Sequence, residues 1–569
     1  MGEMKFDDIL VKLGEFGYYQ KRLYLLICIA GISSGCFMML PVFLNATPKH
    51  RCKIPGYSND TWKVQSDYHQ YLINQSIPLS DDSNLYYDQC HTYRYINFNA
   101  TGNQERDLVK CSEWVYDTDT FKETFVSKNN LVCDDAIRAS HSQMIYYFGV
   151  LFGDIGFGML ADSIGRKKTL MLSALIQVGV STGTAFAPEF YSFVILQFIV
   201  GAACHGFYVP ACVLSVEVTG PSKRVMTGIP IHMFFAVGIV YVSLMGFLLR
   251  HWAYVQLSVG LPCIAFLSYW WLIEESPRWL VSQKRYDEAE RIVQKMAKAN
   301  KANVQGKIIH PEQLWVPKTE RLWKIFSHRV LLVRTIILFF NWIVVSMIYY
   351  GVTMHTRNLG GNFYLNFFIL AIVEFPAKML SMFLLNRLGR KVNHCGCMFI
   401  GGGTMLCTIF TVLYGGEAMK PLTLVFSIIG KMGSAAAFGI IYIYSAELYP
   451  TVVRNGGMGA SSCIARFGGM AAPYIAQSGQ MMGGEFGTAF PLVVFGACAV
   501  SAGILCCLFL PETLNRKLPE TIRDGVEFGR KKKDDDYIVP NFEDTELIIT
   551  EKNMNGDSPK EYSDDTAKA

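Results

Sequence analysis

Two short signatures occur twice in this chain, in the same order and roughly 230 residues apart. The first is Gly158 to Lys167 (GMLADSIGRK), echoed by Asn386 to Lys391 (NRLGRK). The second is Glu217 to Arg224 (EVTGPSKR), echoed with identical Glu-to-Arg spacing by Glu447 to Arg454 (ELYPTVVR). A weaker third pair closes each half: Glu274 to Arg278 (EESPR) and Pro511 to Arg516 (PETLNR). A repeat on this scale implies two homologous halves, so the second half of the fold is constrained by the first.

Long apolar runs surround the repeats. Apolar residues make up 51% of the chain, only 17% are charged, and mean hydropathy is +0.23. A soluble protein of this size could not cover so much apolar surface. Twelve stretches are long enough to cross a bilayer as helices: 23–44, 144–161, 169–188, 191–213, 228–249, 253–273, 331–352, 363–385, 394–414, 421–446, 456–477 and 489–510. Asp154 makes 144–161 the weakest of them. Two halves built from such spans point to a membrane transporter. The net charge of +5, spread over short loops, implies no nucleic-acid partner.

The first span is read as retained. The preceding residues are polar, and the apolar run is too long for a signal core. Basic residues set the orientation: Lys21 and Arg22, Arg166 to Lys168, Lys223 and Arg224, Lys284 and Arg285, Arg387, Arg390 and Lys391, and Arg454. All fall on one side of a twelve-span chain, which is then cytosolic together with both termini. The plasma membrane is the expected location.

The chain accordingly divides into a cytosolic N-terminus (1–22), a first six-helix half (23–273), a cytosolic linker (274–330), a second half (331–510) and a cytosolic tail (511–569). The outer segment 45–142 holds the sequons at Asn45, Asn59, Asn74 and Asn99, glycosylation candidates that are expected to face outside, with at least two of them carrying glycan. It also holds Cys52, Cys90, Cys111 and Cys133, enough for two disulfides with three pairings open. In the linker, Ala289, Ile292, Val293 and Met296 give Tyr286–Asn300 an apolar helical face. The tail, with its run Lys531 to Asp536, reads as mostly disordered.

The Gly158–Lys167 signature forms a tight turn. Gly158 permits close helix approach and Gly165 permits the turn. Asp162 can cap the next helix or pair with an arginine across the halves, and Arg166 and Lys167 hold the cytosolic side. With Glu217, Arg224, Gly389, Arg390, Glu447 and Arg454, these residues are expected to latch one conformation. The echo carries Asn386 where the first copy has Asp162, so a charged latch there should be weaker.

This turn resembles that of the major facilitator superfamily. More narrowly, the chain is similar to the organic ion transporter family of solute carriers. The residues that carry this are Gly17 to Gln20 (GYYQ), Cys111 to Asp117 (CSEWVYD), Asn130 to Cys133 (NLVC), Glu275 to Leu280 (ESPRWL) and Glu447 to Thr451 (ELYPT). The resemblance runs from Leu10 to Leu518 and implies alternating access around a central, polyspecific site for small organic ions. Sugar porters share the superfamily turn, but they lack the four-cysteine outer loop, and no Lys-Gly pair follows Pro511 to Thr513 here.

A charge at the bilayer centre costs about 2.5–3.5 kcal/mol, so it needs a reason. Glu374 and Lys378, Lys431 and Arg466 are such charges. Glu374 and Lys378 lie four apart and can pair with each other. Lys431 (GKMG) and Lys378 resemble basic family positions; the Gly-Lys pair is not a phosphate loop. Arg466, in Ala465 to Gly468 (ARFG), resembles the anion and carnitine branches, where cation members carry Asp. A guanidinium in a low-dielectric cavity is a bidentate carboxylate partner. The expected cargo is therefore an organic anion or a carnitine-like zwitterion, with an organic cation as the alternative through Glu374. Asp154 has three open readings: a pair with span eleven, proton or cation coupling, or a place on the path.

Aromatic residues complete the expected cavity: Tyr349, Tyr350, Phe438 and Tyr442, with Phe37, Tyr241, Trp342 and Tyr474 ranked below them. Partners are a small organic ion and the lipid bilayer, with an exchanged counter-substrate or coupling ion left open. No cofactor, metal cluster or nucleophile constellation is evident. The rivals are a non-transporting receptor and an intramembrane enzyme, the latter resting on His205 and His232, for which the sequence offers no partner.

Overall fold

A computed structural model describes residues 6–80, 86–98, 104–302, 306–310, 312, 322–356, 361–482, 484–516 and 518–529. Its main elements are α1 (Tyr18–Leu44), α2 (Ile137–Ile164), α3 (Arg166–Thr184), α4 (Phe190–Val218), α5 (Arg224–Leu249) and α6 (Trp252–Leu272) in the first half. The second half has α7 (Arg329–His355), α8 (Phe363–Leu388), α9 (Arg390–Leu413), α10 (Lys420–Leu448), α11 (Arg454–Met482) and α12 (Gly484–Phe509). Ten of these are long and apolar enough to cross a membrane. The two that fall short, α3 and α11, still pack among the others. Their hydropathy is low because α3 turns Thr169, Ser173, Gln177 and Ser181 inward, and α11 is rich in Gly, Ala and Ser.

The halves repeat in space as they do in sequence. In the first, α1 packs on α5 and α3 on α4 and α6; in the second, α7 packs on α11 and α9 on α10 and α12. With no hydrophobic drive between helices in lipid, close approach supplies the attraction. Gly35 and Gly238 meet this need at the α1–α5 contact. A Cβ on Gly35 would strike the Phe235 carbonyl oxygen, and one on Gly238 the Ile32 carbonyl oxygen. The halves join along two seams related by the repeat, α2 with α11 and α5 with α8.

A cap lies between α1 and α2. Strand β1 (His50–Cys52) pairs antiparallel with β4 (Trp114–Tyr116), and β2 (His91–Phe98) with β3 (Gln104–Lys110). Disulfides join Cys52 to Cys111 and Cys90 to Cys133, one of the three pairings open from sequence. Asn59 and Asn74 are exposed on this cap. Asn45 is not an accessible acceptor: it ends α1 with 1% of its surface exposed, which leaves a glycan no room. Asn99 lies outside the described residues.

The opposite face carries the basic loops. The linker helix Tyr286–Asn300 buries Ala289, Ile292, Val293 and Met296, as its spacing predicts. Their partners come from an unexpected short helix, Phe6–Lys12, through Phe6, Ile9 and Leu10. Asn300 ties this layer to the start of α1. Its Oδ1 accepts from the Tyr19 amide at 2.9 Å and its Nδ2 donates to the Leu13 carbonyl at 2.9 Å. The chain after α12 folds back on its own half, where Arg334 donates to the carbonyls of Gly525 (2.8 Å) and Phe528 (2.6 Å). The expectation for Lys531 to Asp536 and the rest of the tail falls outside the described residues.

Candidate functional site

The three duplicated signatures converge at one place in each half. The Arg166 guanidinium grips Glu217 through Nε (3.1 Å) and Nη2 (2.9 Å) and donates to the Ala161 carbonyl. Glu275, from the third signature, caps α3. Its Oε1 accepts the backbone N–H of Arg166 at 2.9 Å, and its Oε2 that of Lys167 at 3.2 Å. A carboxylate there meets the positive end of the helix dipole. The second half repeats the arrangement. Arg390 Nε lies 3.0 Å from Glu447, and Glu512 accepts the N–H groups of Arg390 (2.8 Å) and Lys391 (3.0 Å). Gly165 and Gly389 have φ of +108° and +92°, and a Cβ on either would strike that carboxylate.

Several latch expectations change. Asp162 neither caps α3 nor crosses to the other half. It pairs with Arg166 at 3.0 Å within its own turn, with 77% of its side chain exposed. A Cβ on Gly158 would meet open space, so this glycine serves no close approach in this conformation. Arg454 donates to the Tyr449 carbonyl, and the Arg224 side chain is outside those described. Glu275 and Glu512 are the members the sequence reading did not single out as functional.

The buried charges gather at the two seams. α8 breaks at Val373, three residues before Pro376, and restarts at Glu374. Glu374 Oε2 takes Lys378 Nζ at 2.8 Å and the Tyr349 hydroxyl at 2.8 Å, while Oε1 lies 3.0 Å from Lys431 Nζ. Lys431 Nζ also donates to the Tyr349 carbonyl and Thr353 Oγ1, and stands 3.4 Å from the centre of the Tyr349 ring. Lys378 reaches across the seam to the His232 carbonyl on α5 at 3.0 Å. The intrahelical pair is therefore present, inside a larger cluster.

At the other seam, Arg466 Nε donates to Asp154 Oδ2 at 2.9 Å. His205 Nδ1 meets Asp154 Oδ1 at 2.8 Å, and Arg466 Nη2 lies 3.4 Å from the same ring nitrogen. This realises the span-eleven reading of Asp154 and gives His205 the partner the sequence did not reveal. His355 and His394 are further buried histidines in the helices. Arg466 is not a bare cation in this conformation: its Nε is already engaged by Asp154.

Aromatic rings link the clusters. Trp342 meets Tyr442 (4.5 Å), Tyr442 meets Phe438 (5.7 Å), Phe438 meets Tyr349 (5.3 Å), and Tyr349 leads through Tyr350 to Tyr147 (5.2 and 5.0 Å). Tyr241 and Tyr474 lie apart, bonded to the Ser258 carbonyl and packed on His141. A small cleft opens beside this wall, lined by His232, Lys378, Ser381 and Leu385 with Gly439 and Ile440. On the cap face the seam is sealed. Phe43 packs on Phe363, Tyr364 and Phe367 across the halves, and the Tyr364 hydroxyl donates to the Thr120 carbonyl of the cap.

The family described as "Sugar (and other) transporter" matches residues 107–524. The organic cation transporter protein of Drosophila melanogaster is 38% identical, over 93% of this chain and 96% of its own. The organic cation/carnitine transporter 2 of Homo sapiens is 33% identical, over 91% and 93%. Among solved structures, the partially occluded inward-open xylose transporter XylE from E. coli matches with a TM-score of 0.55 at 15% identity, over 88% of this chain and 100% of that one. That likeness concerns the fold.

Proposed function

The chain belongs to the organic ion transporter family of solute carriers, within the major facilitator superfamily, and from that premise we propose that it carries small organic zwitterions and anions across the plasma membrane by alternating access. The observation that carries the charge preference is the count of buried charges. Arg466, Lys378 and Lys431 stand against Asp154 and Glu374, an excess of one formal positive charge among the described residues of the two seams. That excess attracts a carboxylate entering between the seams: an anion cancels it outright, a zwitterion offsets it only at the carboxylate end, and a bidentate guanidinium or paired ammonium groups suit the carboxylate's geometry. The aromatic wall accepts an apolar or trimethylammonium body. The carnitine named for the human relative has this composition of carboxylate and quaternary ammonium.

In this reading the basic face is cytosolic and the glycan-bearing cap extracellular. The halves 23–273 and 331–510 rock about the charged seams, while 1–22, 274–330 and 511–569 stay in the cytosol. The sealed aromatic contacts on the cap face support a conformation closed to the outside. The duplicated Arg–Glu grips hold each half rigid during the movement. A cation reading has its own support in the buried Glu374 beside Tyr349 and Phe438, and in the name of the Drosophila relative.

Three size-matched probes decide between them: γ-butyrobetaine, its carbon isostere lacking the ammonium charge, and pentyltrimethylammonium. Wild type should take up the first two. At equal surface expression, Arg466→Ala should abolish most of that uptake, and Arg466→Lys should restore part of it because the fork is lost. Glu374→Gln should impair the ammonium-bearing probes more than the isostere. Uptake of pentyltrimethylammonium alone, unchanged in Arg466→Ala, would overturn the proposal in favour of cations.

A further inference from the structure

The geometry points to a proton-binding site at Asp154 and His205 whose occupancy releases Arg466 to the substrate carboxylate, so that one proton travels with each substrate. The inference rests on the zwitterion and anion reading above.

The edge of Arg466 best suited to a carboxylate is its Nε–Nη2 edge. Its Nε is taken, donating to Asp154 Oδ2 at 2.9 Å, while Nη2 lies 3.4 Å from His205 Nδ1 and finds no acceptor there once that nitrogen carries a hydrogen. An ionised Asp154 only accepts, so His205 Nδ1, 2.8 Å from Oδ1, carries its hydrogen and points it at the carboxylate. Nε2 is then the basic nitrogen of the ring. All three side chains are nearly enclosed, with Asp154 at 6% exposed, His205 at 5% and Arg466 at 5%.

A substrate carboxylate that binds this edge must displace Asp154. Without a proton, two carboxylates would then share one guanidinium in a site that water barely reaches, and one would be left buried without a counter-charge. A proton taken by His205 at Nε2 removes the conflict. The imidazolium pairs with Asp154, Arg466 pairs with the substrate, and each pair is neutral. No bond breaks other than hydrogen bonds, and the proton leaves when the substrate does.

Among the described residues the surroundings supply no other ready acceptor. Tyr147 on the same helix as Asp154, Cys204 and Tyr208 beside His205, Tyr350 of α7, Tyr442 of α10 and Cys463 beside Arg466 are the neighbouring titratable groups, and they bring only hydroxyls and thiols, which ordinarily hold their protons at neutral pH. The nearest further charges, Glu374 with Lys378 and Lys431, bond to one another at the other seam. The placement also suits coupling. Asp154 and His205 belong to the first half and Arg466 to the second, so the proton bears on the contact that must change when the halves rock.

The test uses the full chain purified and reconstituted in liposomes with a luminal pH dye. γ-Butyrobetaine does not cross lipid unaided, so its entry should acidify the lumen only through the protein. An inward gradient of one pH unit should drive about tenfold accumulation at zero membrane potential, the equilibrium for one proton per substrate. His205→Asn keeps a donor toward Asp154 but takes no proton, so Arg466 stays paired with Asp154; γ-butyrobetaine uptake should fall strongly, and both luminal acidification and the response to the gradient should be lost. Uptake by wild type with no luminal acidification overturns the proton site and leaves the substrate reading intact. Transport of pentyltrimethylammonium with none of γ-butyrobetaine overturns both. Should His205→Asn fail to reconstitute, the wild-type dye signal decides alone.

Discussion

Gly165→Ala should be costly for a reason that lies in another signature. The residue has φ +108° and ψ 158°, a region open essentially to glycine, so alanine there is strained by about 1–3 kcal/mol. The added Cβ would also run into Glu275 Oε2 and force the carboxylate off the amides of Arg166 and Lys167. Losing that charge-assisted cap costs about 2–3 kcal/mol. Glu275→Ala alone should therefore cost about 2–3 kcal/mol and Gly165→Ala alone about 3–6 kcal/mol. The double variant loses the cap only once. It should fall short of the additive sum by about 2 kcal/mol, which for a unit the size of one half is about 4–8 °C in melting temperature. The assay is thermal unfolding of the detergent-purified protein, followed by tryptophan fluorescence. Gly389→Ala with Glu512→Ala should show the same coupling, since a Cβ there would stand 2.5 Å from Glu512 Oε2. Melting shifts that simply add would refute the argument that the first and third signatures form one device.

Arg166→Ala removes the grip on Glu217 and should lower maximal transport with a smaller change in KM, whereas Asp162→Asn, largely exposed, should matter less; a change confined to KM would place these residues at the substrate. Glycosidase should increase the gel mobility of wild type, Asn59→Gln and Asn74→Gln should each remove part of that shift, and Asn45→Gln should remove none, as its burial demands. In the cap, burial pushes the Asp60 carboxyl up, but bonds from Arg51, the Ile54 amide and His69 outweigh it and hold it below the usual carboxylate range. The stability it lends is present above a pH of about 4 and is lost as pH falls through the depressed value; limited proteolysis of the cap across that range should show protection disappearing on the acid side, and the acid transition should vanish in Asp60→Asn.

The long apolar helices were legible because their signals are local. An apolar run of membrane length has few alternatives to a helix, and the duplicated turns mark its ends. Tyr286–Asn300 was legible for the same reason, its apolar spacing being a property of one helix. Glu374, Lys378, Lys431 and Arg466 stood out because a charge inside an apolar run is costly wherever it points. Their partners were not legible. Asp154 and Arg466 are held 2.9 Å apart by the packing of α2 on α11, and nothing near either residue in the chain specifies the other. His205 read as an isolated histidine for the same reason. Asn45 misled in the opposite direction: a sequon records residue types, while its burial depends on how the end of α1 meets the cap.

The repeat also explains why the two buried clusters lie where they do. The spacing that relates Arg166 to Arg390 is the spacing that relates Asp154 to Lys378, so these two charges occupy equivalent positions on α2 and α8. Each reaches across its seam into the opposite half, Asp154 to Arg466 of α11 and Lys378 to the His232 carbonyl of α5. Equivalent positions of the repeat thus make two contacts of opposite sign on symmetric seams. In the proposed cycle, rocking the halves would shear both seams together, so that each contact breaks or slides in the same movement. On the proposed function, a ligand that bears both a carboxylate and an ammonium can replace both at once: the carboxylate takes the place of Asp154 on Arg466 at one seam, while Glu374 and the tyrosines receive the ammonium at the other. A ligand with one charge relieves only one seam. If the cargo is the zwitterion proposed above, the contacts it substitutes favour movement of the loaded protein over the empty one, which is the differential interaction any coupled conformational change requires.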